Sequence, residues 1–179
     1  MKQLDTIELQ FPKTYHMEAA EDYKNEFFKY NEYIINGSAL FDQMEYKLWL
    51  VNTINNSNAS TVREDWVVAS TFFAVRQCDK KIIGMIDIRH NLNNDFIMQF
   101  GGHIGYSVRP SERKKGYATK ILRMGLEYAK TLELDRVMLG CYADNIPSIQ
   151  TIKKCGGILT ETKSYIDGKI MHIYWIDLL

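Results

Sequence analysis

The stretch from Gly101 to Ala129 holds the residues best placed to do chemistry. His103-Ile104-Gly105-Tyr106-Ser107-Val108 has strand character. It runs through Arg109-Pro110 into Ser111-Glu112-Arg113-Lys114-Lys115-Gly116-Tyr117-Ala118, which opens a helix of about four turns. A helix N-terminus exposes amide N–H groups without intrahelical acceptors and carries a partial positive charge. That combination receives phosphate. Gly116 removes a side chain where a ligand must approach the backbone, and Arg113, Lys114 and Lys115 add positive charge at the same spot. The competing reading of the three basic residues is a solvated charge run ahead of a helix. Two common phosphate loops are excluded. The Gly-x-x-x-x-Gly-Lys-Ser/Thr pattern is absent, and Gly101-Gly102 with Gly105 does not make Gly-x-Gly-x-x-Gly.

The elements that must position this stretch follow from periodicity. A short strand at Thr6-Ile7-Glu8-Leu9 precedes a helix over Met17 to Ile35, stopped by Asn36-Gly37. Ser38 then caps a second helix over residues 39–53, and Asn52 to Ser60 is a polar loop. Val67 to Arg76, Lys81 to Arg89 and Phe96 to Val108 read as three strands of an antiparallel meander. Gly101-Gly102 marks a bulge or a close backbone approach in the third. Ala118, Ile121, Leu122, Gly125, Leu126, Ala129 and Leu132 recur at helical spacing. Arg136 to Tyr142 is a strand and Pro147 to Lys154 a short helix stopped by Gly156. Ile158 to Ile166 and Lys169 to Leu178 are strands joined by Asp167-Gly168, a two-residue hairpin turn. The order is β-α-α-β-β-β-α-β-α-β-β, within one domain spanning residues 1–179.

Arg113-x-x-Gly116-x-Ala118, after a strand and Arg109-Pro110, resembles the acyl-CoA pyrophosphate loop of the GNAT N-acetyltransferase superfamily, Gln/Arg-x-x-Gly-x-Gly/Ala. Asn145-x-x-Ser148, followed by Cys155-Gly156-Gly157, resembles that family's Asn-x-x-Ala/Ser…Gly-Phe segment. The motifs cover about residues 101–157, and the flanks match by element order. The resemblance implies an α/β fold with a mixed, mostly antiparallel sheet of six to seven strands and about four helices on both faces. It implies acetyl-CoA as co-substrate, and the sequence holds no Cys-x-x-Cys or His-x-x-x-His pair that would call for a metal. Main-chain groups of Tyr106, Ser107 and Val108 would bond the pantetheine arm. Amides of Arg113, Lys114, Lys115, Gly116, Tyr117, Ala118 and Thr119 would cradle the pyrophosphate. Asn145 and Ser148 would line the arm near the thiol, in a gap where the fourth and fifth strands splay.

The implied reaction is direct attack of a primary amine, on a small molecule or peptide, on the thioester in a ternary complex. An alkyl ammonium of pKa about 10.4 is only about one part in a thousand neutral at pH 7, so a base or a water chain must take its proton. His103 is the first candidate base, with a half-buried structural histidine as the alternative. The Val108 N–H would stabilise the oxyanion. The sequence departs from the family at the acid: Ile152 stands where many members carry Tyr. Tyr142 and Ser148 are the nearest replacements. Gly157 replaces the family's Phe. Cys141 and Cys155 read as core thiols.

Composition limits the rest. Apolar residues are 46% and charged residues 25%, which excludes a disordered chain. Lys+Arg and Asp+Glu are 22 each, so the basic surplus of a non-specific nucleic-acid binder is missing. No apolar run has the length of a membrane span and Met1–Asp5 holds no apolar signal region. Three cysteines form no disulfide framework and no metal-ligand spacing. The expectation is a soluble, reduced, cytoplasmic protein, with a homodimer as one further form. A non-catalytic acyl-CoA-binding module of the same fold, and a nucleotide-binding domain unrelated to acyl transfer, are the competing readings.

Overall fold

A computed structural model describes residues 5–178. Strand β1 (Ile7–Gln10) is followed by helices α1 (Met17–Lys29) and α2 (Tyr46–Asn56). Strands β2 (Ala69–Arg76), β3 (Ile82–Arg89) and β4 (Ile104–Val108) lead into helix α3 (Tyr117–Thr131). Strand β5 (Arg136–Tyr142), helix α4 (Ile146–Lys154) and strands β6 (Ile158–Ser164) and β7 (Ile170–Asp177) complete the chain. The expected element order is the observed one. The strands form two antiparallel sheets, β1-β2-β3-β4 and β5-β7-β6.

The stripe expected on α3 is its buried face. Ile121, Leu122, Leu126 and Ala129 pack with Ile86 and Ile88 of β3 and with Val137 and Leu139 of β5. On the opposite face, Tyr23 and Phe27 of α1 and Tyr46 and Trp49 of α2 cover Phe73, Val75 and Met85. Helices thus shield both faces of the first sheet, the layered solution for elements with apolar faces.

Four expectations about local structure are corrected. α1 ends at Lys29, not Ile35, because Asn31 takes a left-handed conformation (φ 59°). The Glu32 N–H then bonds the Phe27 carbonyl at 3.0 Å, a Schellman closure that satisfies a terminal acceptor. Ser38 caps no helix: Ala39 and Leu40 both have positive φ, so only a 3-10 turn forms at Phe41–Gln43 and α2 starts at Tyr46. Phe96 to Val108 is not one strand. Ile97–Gly101 coils into a π-turn and pairing with β3 starts at Ile104. Of the two meanings offered for Gly101-Gly102, close backbone approach is the observed one. Gly102 has φ 64°, and a Cβ there would run into the Met138 carbonyl of β5. Lastly, the Tyr165 N–H bonds Lys169 O at 2.7 Å, so the hairpin loop has three residues, Ile166 to Gly168.

Arg109 ties α1 to the loop that precedes α3. Its side chain is 2% exposed. Nε donates to Ile82 O, while Nη1 donates to Asp22 and Glu26 of α1, each at 2.8 Å. Glu26 also accepts the Ser111 N–H at 2.8 Å. Replacing Arg109 by Met keeps the apolar stem but leaves Glu26 facing the core uncompensated. We expect a loss of about 2 kcal/mol, below the range for a fully buried pair because water reaches Asp22. A domain of this size would then melt roughly 4–8 °C lower. An unshifted melting curve would show that the bridge contributes nothing net.

Candidate acetyl-CoA site

The two sheets part between β4 and β5. β4 pairs with β3 along its whole length, and the ends of the ladder set its parity. Arg89 N–H bonds His103 O at 2.7 Å and Arg109 N–H bonds Ile83 O at 2.8 Å. Odd-numbered residues of β4 therefore turn their main-chain groups to β3, and Ile104, Tyr106 and Val108 turn theirs to the open side. β5 meets this side only at its base, through the His103 N–H to Met138 O bond of 2.7 Å and the Gly102–Leu139 bridge. Beyond that point the strands are not bridged. This corrects one binding expectation: the Ser107 main chain is committed to Met85, and its hydroxyl bonds the buried Tyr23 hydroxyl at 2.9 Å. Tyr106 and Val108 retain outward main-chain groups.

Below the parting lies the loop into α3. Lys114 (φ 61°) and Gly116 (φ 90°) curl the chain so that successive amides face one side. Arg113 N–H bonds Pro110 O, whereas the N–H groups of Lys114 to Thr119 bond no acceptor among the described residues. A row of unpaired amides at a helix N-terminus is the feature that fits a diphosphate. The Tyr117 ring turns away from it, buried, with its hydroxyl donating to Asp5 at 3.2 Å.

The fixed positive charge expected here is mostly neutralised. Arg113 grips Glu32 with both Nη atoms, at 2.6 and 2.7 Å, and its Nε donates to Val108 O at 3.2 Å. The hydrogen bonds from Arg113 hold the Glu32 carboxyl below the usual carboxylate range. Lys115 pairs with Glu112 at 2.8 Å, and Glu112 also pairs with Arg76. Lys114 makes no ion pair among the described residues, so it is the free cation of the three.

Across the parting, Asn145 caps α4 by accepting the Ser148 N–H at 3.3 Å. The Ser148 hydroxyl meets the Tyr106 hydroxyl at 3.0 Å. Tyr106 thus bridges β4 to α4, a role that sequence reasoning missed. Its even position in the strand points it to that face, and its phenol is pushed up to about 12 by burial. Cys141 lies in the same region, its thiol pushed up to about 11 by burial, so it remains protonated at neutral pH. Ile152 is 1% exposed and belongs to the core. Gly157 is explained by crowding, since a Cβ there would strike Ile152.

The two other candidate catalytic residues stand apart from Ser148. Tyr142 donates its hydroxyl to Asp167 at 2.9 Å and packs edge-on to Tyr165, which fastens it to the β6–β7 turn. His103 is 5% exposed. Its Nδ1 accepts the Met138 N–H at 2.9 Å, so in the neutral ring the hydrogen sits on Nε2. Burial, with Arg89 nearby, lowers its pKa to about 4. In this arrangement the imidazole has its lone pair engaged and is not an available base. No group of three or more His, Cys, Asp or Glu side chains among the described residues could hold a metal, and no described helix is long and apolar enough to cross a membrane.

Solved structures share this architecture across nearly the full chain. The ribosomal-protein-S5-alanine acetyltransferase of Vibrio fischeri superposes with a TM-score of 0.72 at 18% identity, covering 98% of this chain and 94% of that one. The microcin C7 self immunity acetyltransferase MccE, solved in complex with acetyl-CoA and AMP, gives 0.69 at 20% identity, covering 97% and 93%. The spermidine/spermine N-acetyltransferase SpeG of Vibrio cholerae gives 0.66 at 18% identity, covering 96% and 94%. The fold is that of the acetyltransferases. The family model of the GNAT acetyltransferase domain matches residues 12–158, and the chain belongs to that family, a family of N-acetyltransferases. Over 65 residues it is 38% identical to the uncharacterized N-acetyltransferase YnaD of Bacillus subtilis (strain 168), a match spanning 34% of this chain and 38% of that relative.

Proposed function

We propose that the protein transfers the acetyl group of acetyl-CoA to a primary amine of a small molecule or peptide, by direct attack in a ternary complex. The observation that carries this reading is the unpaired amide row of Lys114 to Thr119, lying below a parting of strands into which Tyr106 and Val108 turn their main chain. Acetyl-CoA supplies the thioester carbonyl that the amine attacks. In this reading the amides from Lys114 to Thr119 hold the diphosphate, the Arg113 N–H being taken by Pro110 O, and Tyr106 and Val108 hold the arm as a partial strand would. Asn145 and Ser148 flank its thiol end. The Val108 N–H stabilises charge on the carbonyl oxygen. Ser148 donates to the departing sulfur, its hydroxyl oriented by Tyr106. A thiol pKa of about 8.5 makes thiolate a tolerable leaving group, so this donor assists without being essential. With the His103 lone pair engaged, the ammonium proton leaves through water. The named acceptors of the fold relatives, spermidine and a ribosomal-protein alanine, are both amines and support that acceptor class.

The test is thiol release from acetyl-CoA against a panel of amines, beside calorimetric binding of CoA. Amine-dependent release is expected. Ser148→Ala should lower kcat roughly tenfold with CoA affinity little changed, less than the roughly 10²–10⁴-fold of an essential acid because thiolate can leave unaided. Binding without turnover for any amine would favour the non-catalytic module, which the core position of Ile152 keeps in contention. No binding of CoA would remove both readings.

A further inference from the structure

β6 is the outer strand of its sheet, and no other described strand pairs with its free edge. Six of its seven residues are exposed, although the strand is long for an unprotected edge. The ladder with β7 sets which groups face outward. Tyr165 N–H bonds Lys169 O, and Lys163 and Glu161 lie in the same register opposite Met171 and Ile173. Tyr165, Lys163 and Glu161 therefore turn their main chain to β7, while Thr162 and Ser164 present N–H and C=O groups to solvent.

We infer that β6 pairs antiparallel with β6 of a second copy of this chain, about a two-fold axis at Thr162. The sequence Glu161-Thr162-Lys163 is self-complementary about that residue. Thr162 faces its own copy across an outward hydrogen-bonded pair. Glu161 falls opposite the partner's Lys163, and Lys163 opposite the partner's Glu161. These are non-hydrogen-bonded positions, where cross-strand side chains come closest. Glu161 and Lys163 already touch within one chain at 3.0 Å, so the pairing closes a ring of four alternating charges. Beyond the charges, the extra residue at Thr160 puts Leu159 on the sheet face of Tyr174 and leaves Tyr165 on the opposite face, that of Met171, so the regular side-chain match spans Glu161 to Lys163 only. Moving the axis to Ser164 would set Glu161 against the partner's Asp167 and lose the match. The irregularity between Leu159 and Glu161 adds twist at one end, so the central charges, not ladder length, set the register. The result joins two three-stranded sheets edge to edge in a symmetric dimer.

This inference does not depend on acetyl transfer. Its test is the mass of the full chain in solution, by sedimentation or native mass spectrometry, across a wide concentration range. The wild-type chain should dimerise. Thr162→Pro removes an outward N–H while sparing the β6–β7 ladder, and should raise the dimer dissociation constant at least about tenfold. Glu161→Lys and Lys163→Glu, each alone, set like charges opposite each other and should dissociate the dimer. The double variant should restore it, and mixing the two single variants should give a heterodimer. These charge variants decide the matter if Thr162→Pro fails to fold. A monomeric wild type, a dimer indifferent to Thr162→Pro, or no rescue by charge exchange would overturn the inference.

Discussion

Gly116→Asp should abolish high-affinity binding of acetyl-CoA, raising the dissociation constant at least about a hundredfold, or about 2.7 kcal/mol. Gly116 sits immediately before α3 with φ 90°, a left-handed conformation that glycine adopts without strain. Asp tolerates that region better than most residues and is favoured at helix starts, so the fold should survive. Its carboxylate, however, takes the place of the ligand. It competes for the free amides of Lys114 to Thr119 and repels the diphosphate. Gly116→Ala separates the two effects: it adds backbone strain of about 1 kcal/mol without charge and should weaken binding by only about tenfold. Calorimetry with CoA reads both. An unchanged affinity in the Asp variant would place the diphosphate elsewhere and remove the basis of the proposed function.

The second large effect is a loss of stability in acid. Burial and Arg89 lower the His103 pKa to about 4, against an ordinary value of about 6.5 in the unfolded chain. Between those values the unfolded state binds the extra proton, so stability falls as pH drops from about 6.5 towards 4 and levels off below. This residue alone accounts for roughly 2 kcal/mol between pH 7 and pH 4.5. His16 and His90, both lowered first by burial, act in the same direction. His103→Gln keeps an oxygen that can accept the Met138 N–H but cannot titrate. Urea midpoints of the variant should therefore decline with pH less steeply than wild type, by about that amount. Parallel declines would show that His103 is protonated freely in the folded state. A group of such low pKa also leaves activity flat through neutral pH, unlike a base that titrates near 6.5.

Much of the site was readable because it depends on local chemistry. The loop from Arg109 to Ala118 declares itself through a proline after a strand, a glycine before a helix and an apolar stripe along that helix. Each of these signals acts within a few residues. The cap of α4 is similar, since Asn145 reaches Ser148 three positions on. The errors arose where distant segments meet. Arg113 looked like a free cation in the sequence, but its partner Glu32 lies 81 positions away. Ser107 looked available for a ligand, yet its main chain belongs to Met85 and its hydroxyl to Tyr23, 84 positions away. Alternation along β4 was correct for side chains. Which main-chain groups are free depends on which edge the neighbouring strand occupies.

Sequence alone determined the element order, the family, the glycine-bearing loop ahead of α3 and the absence of the usual Tyr at Ile152, because periodicity and motif spacing are properties of contiguous residues. Only the tertiary structure decided that His103 has its lone pair engaged by β5, that Tyr106 reaches Ser148 across the parting, and that Tyr142 is fastened to a turn. The physical reason is that a side chain's protonation and direction follow from the groups folded against it. For these residues those groups come from other elements of the chain.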